Sequence, residues 1–428
     1  MRQRMLPWAL VACLPWYAWA DDTLRLRQAL EQAAETDPWL KASEYEQQTL
    51  QEKAVAAGQL PDPKLNVALA NLPVDTFEFS QEPMTQFKVG VSQMFPPGDT
   101  LALKSERLRT LAEVQPVMRE DRQGQAALQV TVLWLDVWLA RESAAVLETK
   151  RSYFEQLVDV VTSTYATAAG RARQQDVLRA QLELSRLDDR LARLRQAEEA
   201  ARGKLAEWIG EQARLPLPHT LPDLAPLADY RQVDRERLQA IWVAHPSVVA
   251  VDRKIEAAKQ AVEIAQQKYR PGWGVNASYG YRAEDAQGRD RADFVSVGVT
   301  VDLPLRTGSR QDRDVKAAVA STDALGQQRL LVLRALQSRW TKTSENLASL
   351  DDRIVRYRQE ILPQMAEEVE ATLTAYTNDD GDFADVMRAR IAELNAAIEL
   401  LKLQVSRLKN IAELNYTLLA AAGKGEQS

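Results

Sequence analysis

Two hydrophobic rhythms run along this chain, and each occurs in duplicate. Leu65, Val67 and Leu69 alternate with Lys64, Asn66 and Ala68, and Phe87, Val89 and Val91 alternate with Lys88, Gly90 and Ser92. Later, Trp273, Val275, Ala277, Tyr279 and Tyr281 oppose Gly274, Asn276, Ser278 and Gly280, while Val295, Val297, Val299 and Val301 oppose Ser296, Gly298, Thr300 and Asp302. Period two is the mark of a strand with two unlike faces. Strands are therefore expected at about 63–72, 86–95, 273–282 and 292–303. Each is about ten residues long, enough to cross a bilayer when tilted. A half-buried sheet in a soluble domain would show the same alternation.

The second rhythm is helical. Residues 100–164 keep a helical pattern over 65 positions, about 98 Å at ~1.5 Å per residue, with Pro116 and Gly124 as the expected bends. Residues 311–376 are the counterpart, with a kink expected at Pro363. Each rod turns back into a heptad run: Val177, Ala180, Leu184, Leu187, Leu191 and Leu194 first, then Ile391, Leu394, Ile398, Leu401, Val405 and Leu408. Spacings of three and four in alternation are those of a coiled-coil seam. The returning run 172–209 and the leading run 23–59, stacked end to end, are long enough to run alongside one rod.

Both rhythms belong to a duplicated plan with an offset of 208 residues: Pro38 answers to Pro246, Gly90 to Gly298 and Pro96 to Pro304. A period this long marks a doubled domain half, since solenoid arrays repeat every 20 to 50 residues or so. The expected division is a leader at 1–20, a first repeat at 21–214, a Pro-rich linker at 215–230 and a second repeat at 231–428. The fold class expected is mainly α with a small β part, on a helix-strand-strand-helix plan used twice. The two strand pairs must share one sheet, because an isolated hairpin is marginal. Four strands cannot close a membrane barrel. If these strands cross a bilayer, two, three or four copies would supply eight, twelve or sixteen. The glycines at 90, 274, 280 and 298 suit an open lumen.

The N-terminus bears on location. Arg2 and Arg4 precede an uncharged stretch, 5–17, and Ala18-Trp19-Ala20 is a small-x-small cleavage site, the pattern of a secretory signal peptide. Leu10-Val11-Ala12-Cys13 also fits a lipobox, which would make Cys13 a lipid anchor. Cleavage after Ala20 leaves no cysteine, and 52 basic against 60 acidic residues once Arg2 and Arg4 are taken from the 54. That net charge near −8 gives no electrostatic footprint for nucleic acid. The longest later apolar run, 126–140, is broken by Gln129 and Asp136 and is too short for a spanning helix. The chain has two histidines, His219 and His245, and no Walker, dinucleotide or nucleophile-elbow motif. No enzyme, cofactor or metal centre is expected. Met84 and Met94 carry thioethers that suit Cu(I), but they stand ten residues apart at opposite ends of one strand and read as unrelated. Trp134 and Trp138 read as packing residues on one helical face.

At this point the chain resembles the TolC family of outer-membrane efflux ducts, and more closely its heavy-metal (CusC-like and CzcC-like) branch. The resemblance rests on the duplicated plan, on Pro61-Asp62-Pro63 before the first strand, and on Asn71-Leu72-Pro73, Pro83-Met84-Thr85-Gln86 and Gln93-Met94-Phe95-Pro96 around the first hairpin. The segment 165–180, with Gly170 six residues before Asp176-Val177-Leu178, looks like the family's helical tip. The resemblance implies a homotrimer with a twelve-stranded transmembrane β-barrel in the outer membrane and a long periplasmic coiled-coil α-barrel. It also implies tips docked to a periplasmic adaptor and an inner-membrane pump of the RND type. The function implied is passive export through a tripartite efflux system, with heavy-metal resistance as the branch's theme. The alternative is a soluble periplasmic coiled-coil or adaptor-like protein.

In that frame Leu65, Val67, Leu69, Val89, Val91, Trp273, Val275, Tyr279, Val297 and Val299 are the expected lipid-facing strand residues. Tyr165, Gly170, Arg171, Arg173, Asp176 and Gly381 are the expected tip and adaptor contacts. Asp379, Asp380, Asp382 and Asp385, with Tyr376, would surround the channel entrance, where threefold symmetry makes an acidic ring that attracts cations. Asn-Asp-Asp-Gly is also ordinary turn chemistry, and Asp385 could cap the following helix. Tyr165 and Tyr376 could pack across the seam or gate the pore. The second turn departs from the family pattern, with Asp379 where glycine is expected and the glycine at 381.

Overall fold

The computed structural model describes residues 23–167, 173–285, 287–378 and 380–422. The leader at 1–20 with Cys13, the tip residues Gly170 and Arg171, and Asp379 lie outside the described residues. Helices α1 (Leu26–Thr36) and α2 (Pro38–Ala57) precede strands β1 (Lys64–Ala70) and β2 (Gln86–Phe95). Helices α3 (Thr100–Ala112), α4 (Val114–Ala166) and α5 (Gln174–Ile209) complete the first copy. The second copy repeats the order: α6 (Arg235–Val243), α7 (Pro246–Gln267), β3 (Trp273–Tyr281), β4 (Phe294–Val301), α8 (Gln311–Arg356), α9 (Leu362–Thr377) and α10 (Phe383–Thr417). A last helical turn, α11, covers Leu419–Ala422. The fold is mainly helical with one four-stranded antiparallel sheet.

The chain divides into two compact units. One holds Met1–Thr36, Ala126–Ala225 and Asn346–Ala412, and its described elements are helices. Its core is a coiled-coil seam in which Leu147, Phe154 and Val161 of α4 meet Ala180, Leu187 and Leu191 of α5 and Leu394 and Ile398 of α10. Val177, Leu184 and Leu194 pack against the same core half-buried, so all six positions of the first heptad run face inward. In the second run Val405 and Leu408 are buried too, and Leu401 is half-buried. Trp134 and Trp138 do more than pack. Their indole N–H groups donate to the carbonyls of Leu24 (3.0 Å) and Pro218 (3.1 Å), pinning the segment before α1 and the Pro-rich linker to α4. The linker is strapped down further by Arg141 on the Leu217 and Pro218 carbonyls and by the Leu24 N–H on the Pro216 carbonyl (2.8 Å).

The other unit holds Asp37–Gln125, Pro226–Glu345 and Glu413–Ser428, including the sheet. Here α2 packs on α3 and α3 on α7. Both α2 and α7 begin with proline, which needs no N–H in the first turn, and each has a side-chain cap. Asp37 accepts from the Trp39 N–H (3.0 Å) and pairs with Arg122 (2.7 Å). The equivalent residue, His245, is fully buried and accepts from the Ser247 N–H through Nδ1 (3.2 Å), while its Nε2 donates to the Tyr416 carbonyl (3.0 Å). One neutral tautomer satisfies both bonds, and burial pushes this imidazole below its ordinary pKa. Tyr416 stacks edge-on to that ring at 5.1 Å, and its hydroxyl donates to Asp121 (2.8 Å). Burial and the Asp121 charge push that phenol up to about 12.

The two rods are interrupted or tightened at particular residues. The 100–164 rod is interrupted at Glu113, and Pro116 falls in the first turn of α4, where a missing N–H costs nothing. Gly124 lies within the continuous helix α4. A Cβ there would lie 2.6 Å from Leu419 Cδ2 and 3.4 Å from the Tyr416 ring, so the glycine admits α11 and the end of α10 against α4. At Pro363 the helix is accommodated by a π turn, Tyr357–Ile361, which relieves the clash between the proline ring and the preceding turn.

Candidate functional site

The sheet runs β1-β2-β3-β4, so β2 and β3 join the two copies. Its register sorts side chains into cross-strand rows. One row is Leu65, Val91, Ala277 and Val297, and the next is Val67, Val89, Tyr279 and Val295. Leu69, Phe87 and Tyr281 end this face on one side, and Phe95, Trp273 and Val301 on the other. Phe95 and Trp273 stack with centroids 4.2 Å apart. Every strand residue expected to face lipid lies on this one face. It is uncovered: Leu65 is 68 % and Val297 78 % exposed. From the Trp273 row to the Tyr281 row is about 27 Å along the strand at ~3.4 Å per residue. At the ~40° tilt of outer-membrane strands that height becomes about 20 Å, near the ~25 Å apolar band of such barrels, and aromatics bound it at both ends. Gln93 is the polar exception on this face, and its amide donates to the Pro61 carbonyl (2.7 Å).

The opposite face is polar and closely filled. Gly274 lies under Met94, Gly280 under Gln86 and Gly298 under Asn276. These glycines make room for side chains of the neighbouring strands. Met94 belongs to that packing, whereas Met84 is exposed in the β1–β2 connection, so the two thioethers do not converge. The connections are tied together: Arg282 donates to the Pro83 carbonyl (3.0 Å) and Arg291 to the Glu82 carbonyl (3.1 Å). Sequence reading missed this clasp, because backbone acceptors leave no composition signal.

At the first helical turn Asp176 is buried and closes the start of α5. Its carboxylate accepts from the Arg173 N–H (3.1 Å) and its own N–H returns to the Arg173 carbonyl (2.9 Å). Arg173 itself is exposed, and Tyr165 is half exposed. At the second turn Tyr376 packs edge-on against Phe383 at 5.7 Å, within the seam core. Asp382, not Asp385, caps α10, accepting from the Ala384 N–H (3.1 Å). Asp385 pairs with Arg388 (2.5 Å). Asp380 is exposed, and among the described residues its carboxylate has no partner. Gly381 sits where a Cβ would lie 2.8 Å from the Tyr376 backbone nitrogen, so only glycine fits this shifted turn.

Among the described residues no group of three or more His, Cys, Asp or Glu side chains could hold a metal ion, and no helix is long and apolar enough to cross a membrane.

No protein-family model matches the chain, and comparison with curated proteins finds no relative. Solved structures do match. The outer membrane protein VceC of Vibrio cholerae is 17 % identical, with a TM-score of 0.73 over 92 % of this chain and 95 % of its own. The chain has the outer-membrane channel fold. CmeC, an outer membrane channel of Campylobacter jejuni, matches over 100 % of this chain and 96 % of its own, at 10 % identity and a TM-score of 0.76. CusC, whose structures concern transmembrane channel formation, is 15 % identical, with a TM-score of 0.75 over 92 % of this chain and 91 % of its own. In the channel fold the long helices pack as coiled coils beside a small sheet, as the resemblance to the TolC family implied.

Proposed function

We propose that this protein is the outer-membrane exit duct of a tripartite efflux system, a passive channel without catalytic residues or a cofactor. The observation that carries the reading is the uncovered apolar face of the sheet, bounded by aromatics, together with the outer edges of β1 and β4, which pair with no strand among the described residues. In water such a face and such edges would drive aggregation. Lipid covers the face, and pairing β4 of one copy with β1 of the next removes the edges. Three copies give twelve strands, the number the TolC family uses. Leu331 and Val355 of α8 and Leu178 and Leu182 of α5 are exposed in the single chain and would be covered in such an assembly.

The turns after α4 and α9 are the periplasmic tips that meet an adaptor protein and, through it, an inner-membrane pump of the RND type. Tyr165, Arg173 and the stretch at 170–171 present the first contact, and the turn around Gly381 the second. Of the described entrance carboxylates Asp380 is the one left for cations, since Asp382 caps a helix and Asp385 is paired with arginine; Asp379 is a second acid beside it in sequence. Heavy-metal cations are the proposed cargo, supported by the resemblance of the first-hairpin motifs to those of that branch.

The test is the assembly mass of the detergent-extracted protein with conductance in a planar bilayer. A conducting trimer whose cation preference weakens in Asp379→Asn with Asp380→Asn is expected. A monomer soluble without detergent would sink the barrel.

A further inference from the structure

The four strands contain two charged residues in total, Lys64 and Lys88, and both lie on the polar face. Lys88 sits in the row Ala68, Lys88, Gly280 and Phe294, and Lys64 in the row Lys64, Ser92, Asn276 and Gly298. The two rows are four residues apart on β2, about 14 Å at ~3.4 Å per residue. Among the described residues no carboxylate pairs with Lys88. Its surroundings are built from small and amide side chains: a recess of about 200 Å³ is lined by Lys88 with Asn66, Ala68, Gly90, Asn276 and Ser278. The Ser278 hydroxyl is buried in this wall and has no hydrogen-bond partner among the described residues. An ammonium flanked by two amides, with no acid among the lining residues, forms a donor set for anions. Lys64 is less isolated, since Asp62 precedes it by two residues and Asp302 follows β4 at the same end of the sheet.

We propose that the barrel wall carries an anion-favouring station centred on Lys88 and reinforced by Lys64, opposite in sign to the acidic turn that follows α9. The inference rests on the duct reading, because only a closed barrel turns the polar face into a lumen. In a trimer the two positions become two rings of three ammonium groups. Anionic solutes are favoured there by the wall's charge and donors, and cations moving out meet repulsion at this level. The hairpins, as well as the helical turns, would then contribute to charge selectivity.

Screening sets the conditions of the test. The Debye length is about 30 Å at 0.01 M salt and about 3 Å at 1 M, so the wall's charge reaches across a wide lumen only at low salt. Reversal potentials under a KCl gradient give the chloride-to-potassium permeability ratio for the wild type, Lys88→Gln, Lys88→Arg and Lys64→Gln. At low salt that ratio is expected to fall by about twofold in Lys88→Gln, less in Lys64→Gln, and to be kept in Lys88→Arg, with all differences collapsing at 1 M. Block of the wild-type channel by inositol hexakisphosphate added on the hairpin side, without block by spermine from that side, is the second expected result, and it needs no variant to fold. A permeability ratio unchanged in both glutamine variants, or a wild-type channel indifferent to the polyanion, overturns the anion station while leaving the duct intact. A wild-type trimer that does not conduct overturns both.

Discussion

The two copies of the repeat keep one backbone plan and fill it with different chemistry. At equivalent helix starts Asp37 caps α2 and His245 caps α7. The first is an anion held by Arg122, and the second is a neutral ring held between Ser247 and the Tyr416 carbonyl. The turns differ as well, with a buried carboxylate closing the first and a tightly approached glycine shaping the second. Duplication fixed where helices start and chains turn, and later substitution was free wherever another side chain could satisfy the same orphan N–H. The strands diverged least in role, since their alternation serves one continuous sheet.

The strongest test of that equivalence lies in the sheet. Val89→Arg and Val297→Arg, at equivalent positions on the apolar face, are each expected to cost about 2–4 kcal/mol, the range for a cation near the midplane of a barrel. Heat-modifiable gel migration of the membrane fraction reads the loss. Equal losses confirm that the two hairpins face one environment, and a loss in only one copy breaks the comparison.

Next in size is the cap partner. Arg122→Ala leaves the nearly buried Asp37 carboxylate without its cation and is expected to cost about 1.5–3 kcal/mol, measured as a fall in midpoint of denaturant unfolding.

The His245 cap distinguishes the copies by pH. Its folded pKa lies below the ordinary value, so the unfolded chain binds the proton more readily. Its contribution is complete above the unfolded pKa of about 6.5 and is lost progressively as pH falls from there toward the folded value. Thermal melting should therefore show an acid-sensitive component in this window. His245→Asn, which keeps a cap without a titrating ring, should flatten it; an unchanged profile would mean that the imidazole takes up its proton alike in the folded and unfolded states.

The smallest effect contrasts two glycines. Gly326, in the interior of α8, has open space where a Cβ would stand, so Gly326→Ala should stabilise by about 0.5–1 kcal/mol. Gly381→Ala should destabilise, because its Cβ meets backbone. Opposite shifts in melting temperature are the expected readout.

Much of this architecture was legible because it rests on periodicity. Alternation in 273–281 fixes which residues share a face whatever they pair with, and the heptads from Val177 to Leu194 name a seam without naming the partner helix. The candidate site was legible to the same depth. The sequence located the turns and the apolar strand positions, but Asp385, which it offered as a cap, is paired with Arg388 one turn along, and Asp382 caps α10 instead. The approach of Leu419 to Gly124 comes from almost 300 positions away and left no local signal.

The sequence by itself determined the duplicated order of elements, the two faces of each strand and the inward positions of the coiled-coil runs, because these follow from the geometry of a single helix or strand. Only the tertiary structure decided that β2 pairs with β3, that glycines on the polar face are filled by Met94, Gln86 and Asn276, and that Lys88 stands without a carboxylate partner among the described residues. Those outcomes depend on which groups meet across long loops, and side-chain pairing at that range is set by packing, not by local propensity.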